Sequence, residues 1–345
     1  MEQEILFERR GAIGLITLNR PKALNALTHA MCVSMKAQLD EWASDGKIET
    51  VVVQGAGDRA FCAGGDIRSL YESGKSGTPY AVEFYRDEYI LDATIKHYPK
   101  SYVALISGIV MGGGVGVSVH GSHRIADETT LFAMPETGIG LFPDVGGSYF
   151  LPRIHDGSEM GMYLALTGTR LTVADVYQQG IATNFVAREN REALVERLAE
   201  GEAPENAFKA LASPMPDTFA PDHRREIARI FGAASVERVL ADLDCERSDW
   251  AREAAATIRK KSPTSTKLAF HQLKEGAKLE FDDCMRMEFR MVNRIIKGHD
   301  FYEGVRATII DKDNQPKWRP ADLDAVTDAE IDAYFLPLGA DELPL

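Results

Sequence analysis

The sequence predicts an α/β fold, because short strand-like runs alternate with longer segments of helical periodicity in its first half. The chain has 345 residues, of which 45% are hydrophobic and 26% are charged. This composition is typical of globular proteins, and the length suffices for one large or two modest domains. We expect a mixed strand-and-helix core over residues 1–188 and a mostly helical region over residues 189–345.

The strands of the core are predicted from their turns and their apolar runs. Residues 4–18 contain two strand-like runs on either side of Gly11, which indicates a β-hairpin. Residues 49–54 and 101–106 are short apolar runs of the kind that forms buried strands.

Helices are predicted over residues 29–44, 79–97 and 172–180. The first has apolar side chains at helical spacing, namely Met31, Met35, Leu39 and Trp42. The second begins at Pro79, which is favourable in a first helical turn. The third lies between a threonine and a glycine, the residue types that often begin and end helices.

The C-terminal region changes in character. Residues 189–300 are rich in Glu, Arg, Ala and Leu, and prolines interrupt them at several positions. Each segment between the prolines is compatible with a helix. Residues 214–222, with three prolines, are the expected linker.

The composition argues against several classes of protein. The net charge of −13 argues against a broad nucleic-acid surface, which needs clustered Lys and Arg. The four cysteines form no CxxC pair, so we expect no zinc ribbon, no disulfide framework and a reducing compartment. The N-terminal residues do not resemble a targeting segment, and no apolar run approaches the roughly 20 residues of a membrane span. We therefore expect a cytoplasmic protein with neither nucleic acid nor membrane as partner, and without a metal site.

Three glycine-containing segments each allow a structural and a functional interpretation. Residues 51–60 match a dinucleotide fingerprint, but the further glycines that follow disfavour the helix this site needs. Residues 60–70 fit either a tight turn before a helix near Asp66 or a backbone anion site. In residues 106–121, the three consecutive glycines could open a helix with free N–H groups, while alternating valines favour a strand.

Two acids interrupt an apolar segment over residues 132–153. Glu136 and Asp144 each follow a proline, and dipeptides of this kind are common in surface turns. The surrounding Phe, Met, Leu and Tyr residues make full exposure of the segment improbable. Since an uncompensated buried carboxylate is costly, we favour a functional role for the two acids.

Taken together, these segments resemble the crotonase (enoyl-CoA hydratase/isomerase) superfamily. The resemblance covers most of the chain, in the expected order. The matching segments are NRPKALNAL, AFCAGGDI, MGGGVG, FAMPETGIGLFPDVGG, LTGTRL, SPTSTKLAF and EGVRATIIDKDNQPKW. Several of them are similar in particular to a branch of the superfamily that hydrolyses hydroxyacyl-CoA thioesters. The implied fold is a spiral of ββα units with a helical C-terminal region, in which the glycine run at 112–114 opens a helix.

The resemblance also implies roles for individual residues. By position, the backbone N–H groups of Gly65 and Gly113 form an oxyanion hole for the thioester carbonyl. Glu88 matches a position near the acyl pocket and is assigned to substrate binding, although a solvated helix acid is an equal alternative. CoA binding is expected at Lys22, Ala23 and Leu24, with positive charge from Lys22, Arg59 or Arg68. Coenzyme A is part of the substrate, so no separate cofactor is implied. Superfamily members are often trimers or hexamers, so a homo-oligomer is an open expectation.

The acids select among the reactions of the superfamily, which fold alone does not. Hydratases of the superfamily have two glutamates. The first lies two residues after the glycine run, where this chain has Gly116, and the second lies at the position of Glu136. Asp144 stands where hydratases usually have glycine. We therefore expect thioester hydrolysis, in which Glu136 acts as nucleophile or as base for water. Asp144 would orient the substrate hydroxyl or the water, and the two acids should titrate as a coupled pair.

Two other functions compete with hydrolysis. The first is an enoyl-CoA hydratase or isomerase that uses Glu136 alone. The second is an RNA-binding or scaffolding module on the same fold. The presence of both glycine donors and both acids argues against an inactive pocket, and the negative charge argues against RNA.

Overall fold

The computed structural model describes residues 3–216 and 222–345, so residues 217–221 of the predicted linker at 214–222 lie outside the described residues. The chain forms two compact units. Unit 1 comprises Met1–Asp66, Asp87–Ala133 and Arg170–Pro221, and unit 2 comprises Ile67–Arg86, Met134–Thr169 and Asp222–Leu345.

The strands all belong to unit 1. They are β1 (Ile5–Arg10), β2 (Ile13–Leu18), β3 (Thr50–Gly55), β4 (Ala60–Cys62), β5 (Ser101–Ile106), β6 (Ile109–Met111), β7 (His123–Ala126), β8 (Leu131–Ala133), β9 (Leu171–Thr172) and β10 (Asn184–Phe185). They form a six-stranded sheet of order β1-β2-β3-β5-β7-β10 and a four-stranded sheet of order β4-β6-β8-β9.

The helices lie in both units, and α3 spans the boundary between them. They are α1 (His29–Ser44), α2 (Ile67–Ser76), α3 (Tyr80–Lys96), α4 (Gly113–Val119), α5 (Gly147–Phe150), α6 (Ser158–Thr167), α7 (Val173–Gln178), α8 (Arg191–Ala199), α9 (Pro204–Ala210), α10 (Arg224–Phe231), α11 (Val236–Glu246), α12 (Asp249–Arg259), α13 (Pro263–Gly276), α14 (Phe281–Ile295), α15 (His299–Val305) and α16 (Asp328–Phe335). Short 3₁₀ helices include Pro21–Ala23 and Glu136–Ile139.

The chain of unit 1 alternates between its two sheets. Strands β3, β5 and β7 are parallel neighbours in the large sheet, and the strand after each of them, β4, β6 or β8, belongs to the small sheet. Each pair of strands therefore contributes one strand to each sheet before the chain turns back. This is the expected spiral of ββα units.

The core of unit 1 lies between the large sheet and two helices. Buried side chains of the sheet, including Val52, Val103 and Ile125, belong to one apolar cluster with Leu194 of α8 and Phe208 of α9. Strand β3 is buried along most of its length, as expected for a parallel strand covered on both faces.

Unit 2 is helical in its described residues, and its buried side chains lie on helix faces. Helix α14 has the clearest example, because Cys284, Met285, Met291 and Val292 are all buried. They form two adjacent pairs seven residues apart, which is about two helical turns, as expected for one face of an amphipathic helix.

The secondary structure predicted from the sequence is confirmed in most places. The hairpin, the two buried strands and the three helices lie where they were expected, within one or two residues. The ambiguous segment 106–121 contains both elements, strand β6 followed by helix α4, as the resemblance implied. The described residues after 188 contain helices and no named strand. The predicted domain boundary at 188 stays a prediction.

The described residues contain neither a membrane-spanning helix nor a cluster of metal ligands. No helix there is long and apolar enough to cross a membrane. No group of three or more His, Cys, Asp or Glu side chains in those residues is arranged to hold a metal ion.

Candidate active site

The two predicted donor glycines follow neighbouring parallel strands in unit 1. Cys62 of β4 pairs with Val110 of β6, and Gly65 and Gly113 each lie three residues beyond that pair. Parallel strands end at the same edge of a sheet, so the pairing places the two glycines side by side. A Cβ atom built on Gly113 would lie 3.4 Å from the Gly65 nitrogen. The structure thus brings together the two residues that the resemblance assigned to one oxyanion hole.

The residue before each donor is a glycine in the left-handed half of φ space. Gly64 has φ 122° and Gly112 has φ 49°. A residue with a Cβ is strongly disfavoured in such conformations, so glycine is required before each donor. This explains why AGGD and MGGG each contain consecutive glycines. The first glycine turns the backbone, and the second presents its N–H group.

The local hydrogen bonds leave both donor N–H groups without a backbone acceptor among the described residues. The Leu27 N–H donates to the Gly64 carbonyl, and the Leu27 carbonyl accepts from the Asp66 N–H, each at 2.8 Å. These two bonds form a parallel β-bridge between Leu27 and Gly65, and they use backbone groups of the residues on either side of Gly65. Gly113 is the first residue of α4, where an N–H group has no carbonyl partner within the helix. Two N–H groups without such an acceptor can donate to a ligand oxygen.

Glu88 packs directly against Gly113. It lies on α3 and is 2% exposed. A Cβ on Gly113 would overlap the Glu88 Oε1 atom and would lie 3.1 Å from Leu27 Cδ1. Glu88 is therefore a buried carboxylate beside Gly113, and the alternative of a solvated helix acid is wrong. Gly65, Gly113, Glu88 and Leu27 are called the donor cluster below.

Glu136 is buried in unit 2 as the first residue of the 3₁₀ helix Glu136–Ile139. It is 4% exposed, and its Oε2 atom has no hydrogen-bond partner among the described residues. Burial raises the pKa of Glu136 well above its usual value, and the nearby charge of Asp144 raises it further. A carboxylate in this state is a strong base when it is ionised, because it has lost the solvation that would stabilise its charge.

Lys261 provides a positive charge near Glu136. Its Nζ atom would lie 3.1 Å from a Cβ on Gly138, two residues after Glu136. The neighbouring Ser262 N–H donates to the Thr137 carbonyl at 3.2 Å, which fixes this segment against the 3₁₀ helix. The Lys261 charge lowers the pKa of Glu136, in opposition to burial and Asp144. Lys261 was not among the residues singled out from the sequence.

Asp144 belongs to a strained turn in the same unit. It is 3% exposed and follows Pro143. The next residue, Val145, has φ 50°, and Gly146 has φ 82°. A β-branched residue in the left-handed region is a rare outlier, and such outliers concentrate at functional sites. Glu136, Asp144 and Lys261 are called the carboxylate cluster.

The predicted CoA-binding segment forms an exposed 3₁₀ turn in unit 1. Lys22 and Ala23 are exposed within Pro21–Ala23, and Leu24 follows with φ 51°. The adjacent Asn25 is fully buried, and its Nδ2 atom donates to the carbonyls of residues 56 and 60 at 2.9 Å. These hydrogen bonds connect the predicted CoA-binding segment to the loop that carries Arg59.

The predicted cationic residues all have exposed side chains. Lys22 and Arg59 lie in the two linked loops of unit 1, where both can contact an anionic ligand. Arg68 is exposed on α2, which belongs to unit 2. The assignment of these residues to CoA stays a prediction.

Known proteins resemble this chain over nearly its whole length. The family model described as enoyl-CoA hydratase/isomerase matches residues 13–335. The chain is 48% identical to a protein of Danio rerio named "3-hydroxyisobutyryl-CoA hydrolase, mitochondrial", and the match covers 99% of this chain and 92% of that protein. The Homo sapiens protein of the same name is 45% identical, with 99% and 90% covered.

Solved structures also match. A structure from Mycobacterium thermoresistibile, described as a carnitinyl-CoA dehydratase, has a TM-score of 0.93 and 39% identity, with 99% of each chain covered. A structure from Rhodobacter sphaeroides, described as an enoyl-CoA hydratase, has a TM-score of 0.90 and 37% identity, with 99% of this chain and 100% of that chain covered.

The packing of α4 on β4 predicts the effect of a methyl group at Gly114. A Cβ there would overlap the backbone carbonyl of Cys62, which cannot move without disturbing the strand. We expect Gly114→Ala to lower the free energy of unfolding by about 1–3 kcal/mol, measured by urea denaturation. Gly46→Ala is the control, because a Cβ at Gly46 has no atom within 4 Å. Equal stability of both variants would contradict the packing argument.

The charges around Glu136 predict that its pKa shifts in opposite directions in two variants. Lys261→Met removes a positive charge and should raise the pKa of Glu136, whereas Asp144→Asn removes a negative charge and should lower it. The carboxyl ¹³C shift of labelled glutamate, followed against pH, measures both changes. Lys260→Met, at an exposed neighbouring position, is the control and should leave the titration unchanged. If the pKa of Glu136 shifts in the same direction in both test variants, the assigned positions of the Lys261 and Asp144 charges near Glu136 are wrong.

Proposed function

Because the chain belongs to the enoyl-CoA hydratase/isomerase family, we propose that it hydrolyses the thioester of 3-hydroxyisobutyryl-CoA to the free hydroxy acid and CoA. The relatives at 45–48% identity carry that activity in their names. The structural observation that supports the proposal is the buried Glu136 carboxylate, whose Oε2 atom has no hydrogen-bond partner among the described residues while Asp144 lies nearby.

The donor cluster is suited to stabilise charge on the thioester oxygen. During attack on the carbonyl carbon, negative charge develops on that oxygen, and the N–H groups of Gly65 and Gly113 would donate to it. Each preorganised donor of this type is worth roughly 10²–10³ in rate in other acyl-transfer enzymes. Glu88, which packs on Gly113, would contact the acyl group and contribute to substrate binding.

Glu136 would supply the group that attacks or activates water. As a base, it would take a proton from water while the water oxygen bonds to the carbonyl carbon. The tetrahedral intermediate would then release CoA by breaking the C–S bond. As a nucleophile, its carboxylate would displace CoA to form an anhydride, which water then hydrolyses. Both routes need an ionised Glu136. Burial and the Asp144 charge oppose that state by raising the pKa of Glu136, and the Lys261 charge favours it.

Asp144 would act on the polar groups around the reacting centre. Its carboxylate can accept a hydrogen bond from the 3-hydroxyl of the substrate or from the attacking water. It can also take up the proton removed from water and pass it on to the departing thiolate. The strained turn that carries Asp144 fits this assignment, because strained backbone is kept where a side chain must point in one direction.

Hydration of an enoyl-CoA is the second candidate, since two solved relatives are described as a hydratase and a dehydratase. Hydratases need a carboxylate after the glycine run, and this chain has the buried Gly116 there, within α4. Crotonyl-CoA distinguishes the two reactions. Loss of its enoyl absorbance without release of thiol would favour the hydratase, whereas thiol release from the hydroxyacyl ester favours the hydrolase.

The setting of the reaction is part of the proposal. 3-Hydroxypropionyl-CoA is a second expected substrate, since it keeps the 3-hydroxyl and lacks only a methyl group. The substrate places the enzyme in valine breakdown.

A cytoplasmic location remains our proposal from the cysteine usage, although the names of the relatives include the word mitochondrial. A homo-oligomer is proposed from the habits of the superfamily and can be tested by light scattering.

Glu136→Gln tests the central role. The amide keeps the size of the side chain but is neither a base nor a nucleophile at neutral pH. We expect kcat for 3-hydroxyisobutyryl-CoA hydrolysis to fall by several orders of magnitude, measured by thiol release, while binding of the CoA ester persists. Glu253→Gln, an exposed glutamate on α12, is the control. Near-normal turnover of the Glu136→Gln variant would show that the assignment is wrong.

Substrates with and without the 3-hydroxyl test the role of Asp144. Wild type should hydrolyse 3-hydroxyisobutyryl-CoA faster than isobutyryl-CoA, because a site that hydrogen-bonds a hydroxyl disfavours the analogue that lacks it. Asp144→Asn should reduce that preference, seen as a smaller ratio of the two kcat/KM values. If wild type hydrolyses both esters equally fast, Asp144 does not recognise the hydroxyl.

A further inference from the structure

Glu288 is a buried carboxylate in unit 2 that the proposed reaction does not use. It lies on α14 and is fully buried. Its pKa is raised to about 8, because burial raises it by more than the hydrogen bonds from residues 148 and 146 lower it. A buried carboxylate is costly where an apolar side chain would pack as well, so its partners should show what it does.

The partners of Glu288 are the backbone groups that follow Asp144. The Gly146 N–H donates to Glu288 Oε2 at 2.8 Å, and the Ser148 N–H donates to Oε1 at 2.9 Å. The Ser148 hydroxyl also donates to Oε1. Glu288 is 142 residues from Gly146 in sequence, so these bonds connect α14 to the turn across a long stretch of chain.

Gln272 holds the other side of the same turn. It is a fully buried residue of α13, and its Nε2 atom donates to the Pro143 carbonyl at 2.6 Å. The same nitrogen lies 3.3 Å from Glu288 Oε1. The turn is therefore hydrogen-bonded at Pro143, directly before Asp144, and again at Gly146 and Ser148 after it.

The strained backbone explains why such bonds are needed. Val145 has φ 50°, a conformation that costs a β-branched residue free energy and that relaxes unless the surroundings hold it. The described groups bonded to Glu288 are all donors, which favours its ionised form, and hydrogen bonds to a charged acceptor are stronger than those between neutral groups. A carboxylate that accepts from Gly146 and Ser148 can thus keep the turn in one conformation.

We propose that Glu288, together with Gln272, is a positioning residue that fixes the direction of the Asp144 side chain. The inference rests on the proposed role of Asp144 in thioester hydrolysis. Neither residue needs to touch the substrate. Their effect on catalysis is through the turn, since a small misplacement of a reacting group can cost about 10²-fold in rate.

A double-mutant cycle tests whether Glu288 acts through Asp144. In Glu288→Gln the side-chain amide must place an NH₂ group against one of the backbone N–H donors, so the turn loses a bond. We expect kcat to fall by about 10-fold or more in the wild-type background and by less than about 2-fold when Asp144→Asn is already present. Asp283→Asn, an exposed acid on the same helix, is the control and should have no effect.

The outcomes of the cycle separate this inference from the proposed function. If the two substitutions reduce kcat by independent factors that multiply, Glu288 does not act through Asp144. If wild type releases no thiol from 3-hydroxyisobutyryl-CoA, the proposed function itself fails. Gln272→Met repeats the cycle without changing a charge, so the test does not depend on the folding of one variant.

Hydrogen–deuterium exchange gives a readout that needs no activity. The amides of Gly146 and Ser148 should exchange faster in Glu288→Gln than in wild type, because both are bonded to the carboxylate. A peptide from α6, in the same unit, should keep its exchange rate, which excludes general loosening of the fold. Unchanged exchange at 146–148 would overturn the inference.

Discussion

Burial of the Glu136 carboxylate is the constraint on which the chemistry of unit 2 depends. Removing a carboxylate from water costs free energy that hydrogen bonds usually recover, yet Oε2 has no such partner among the described residues. The Lys261 charge offsets part of that cost, and the Asp144 charge adds to it. The result is a carboxylate that gains interactions when a polar reactant approaches, as expected of a base or nucleophile.

A different constraint determines the donor cluster of unit 1. The pairing of β4 with β6 fixes where the chain leaves the small sheet, and Gly64 and Gly112 supply the backbone turns at those points. The donors are main-chain groups, so their positions depend on strand register and on glycine rather than on side-chain rotamers. In the proposed reaction this geometry would stabilise charge on a thioester oxygen whatever attacks next, so it could persist in relatives with different reactions.

The fold and part of the site could be predicted from the sequence for physical reasons. Residues 29–44 and 101–106 have local patterns that specify their own secondary structure, and both predictions are confirmed. The segment 106–121 was ambiguous because glycines and alternating valines fit either element. It contains a three-residue strand followed by a helix. Only the family resemblance resolved the helix, because glycine has a poor intrinsic preference for it.

The residues that sequence reasoning missed act over long distances along the chain. Lys261 follows Glu136 by more than a hundred residues, and its neighbours RKKS look like an ordinary charged run. Gln272 and Glu288 carried a weak signal, since each is a polar residue on the apolar face of an amphipathic helix. That pattern says a polar side chain is buried but not what it bonds. Its partners at Pro143, Gly146 and Ser148 become visible only when the chain is folded.

The choice between hydrolysis and hydration shows how few side chains separate reactions on one scaffold. A solved relative with a TM-score of 0.93 is described as a dehydratase, while relatives at 45–48% identity are named hydrolases. Backbone similarity therefore cannot select the reaction. In this chain the position two residues after the glycine run is Gly116, which has no side chain to contact the water. An acid at 144 lies instead on a turn strained at Val145 and bonded to α13 and α14. In the proposed reaction Asp144 depends on this turn, so catalysis would also depend on the buried polar residues of α13 and α14 that hold it.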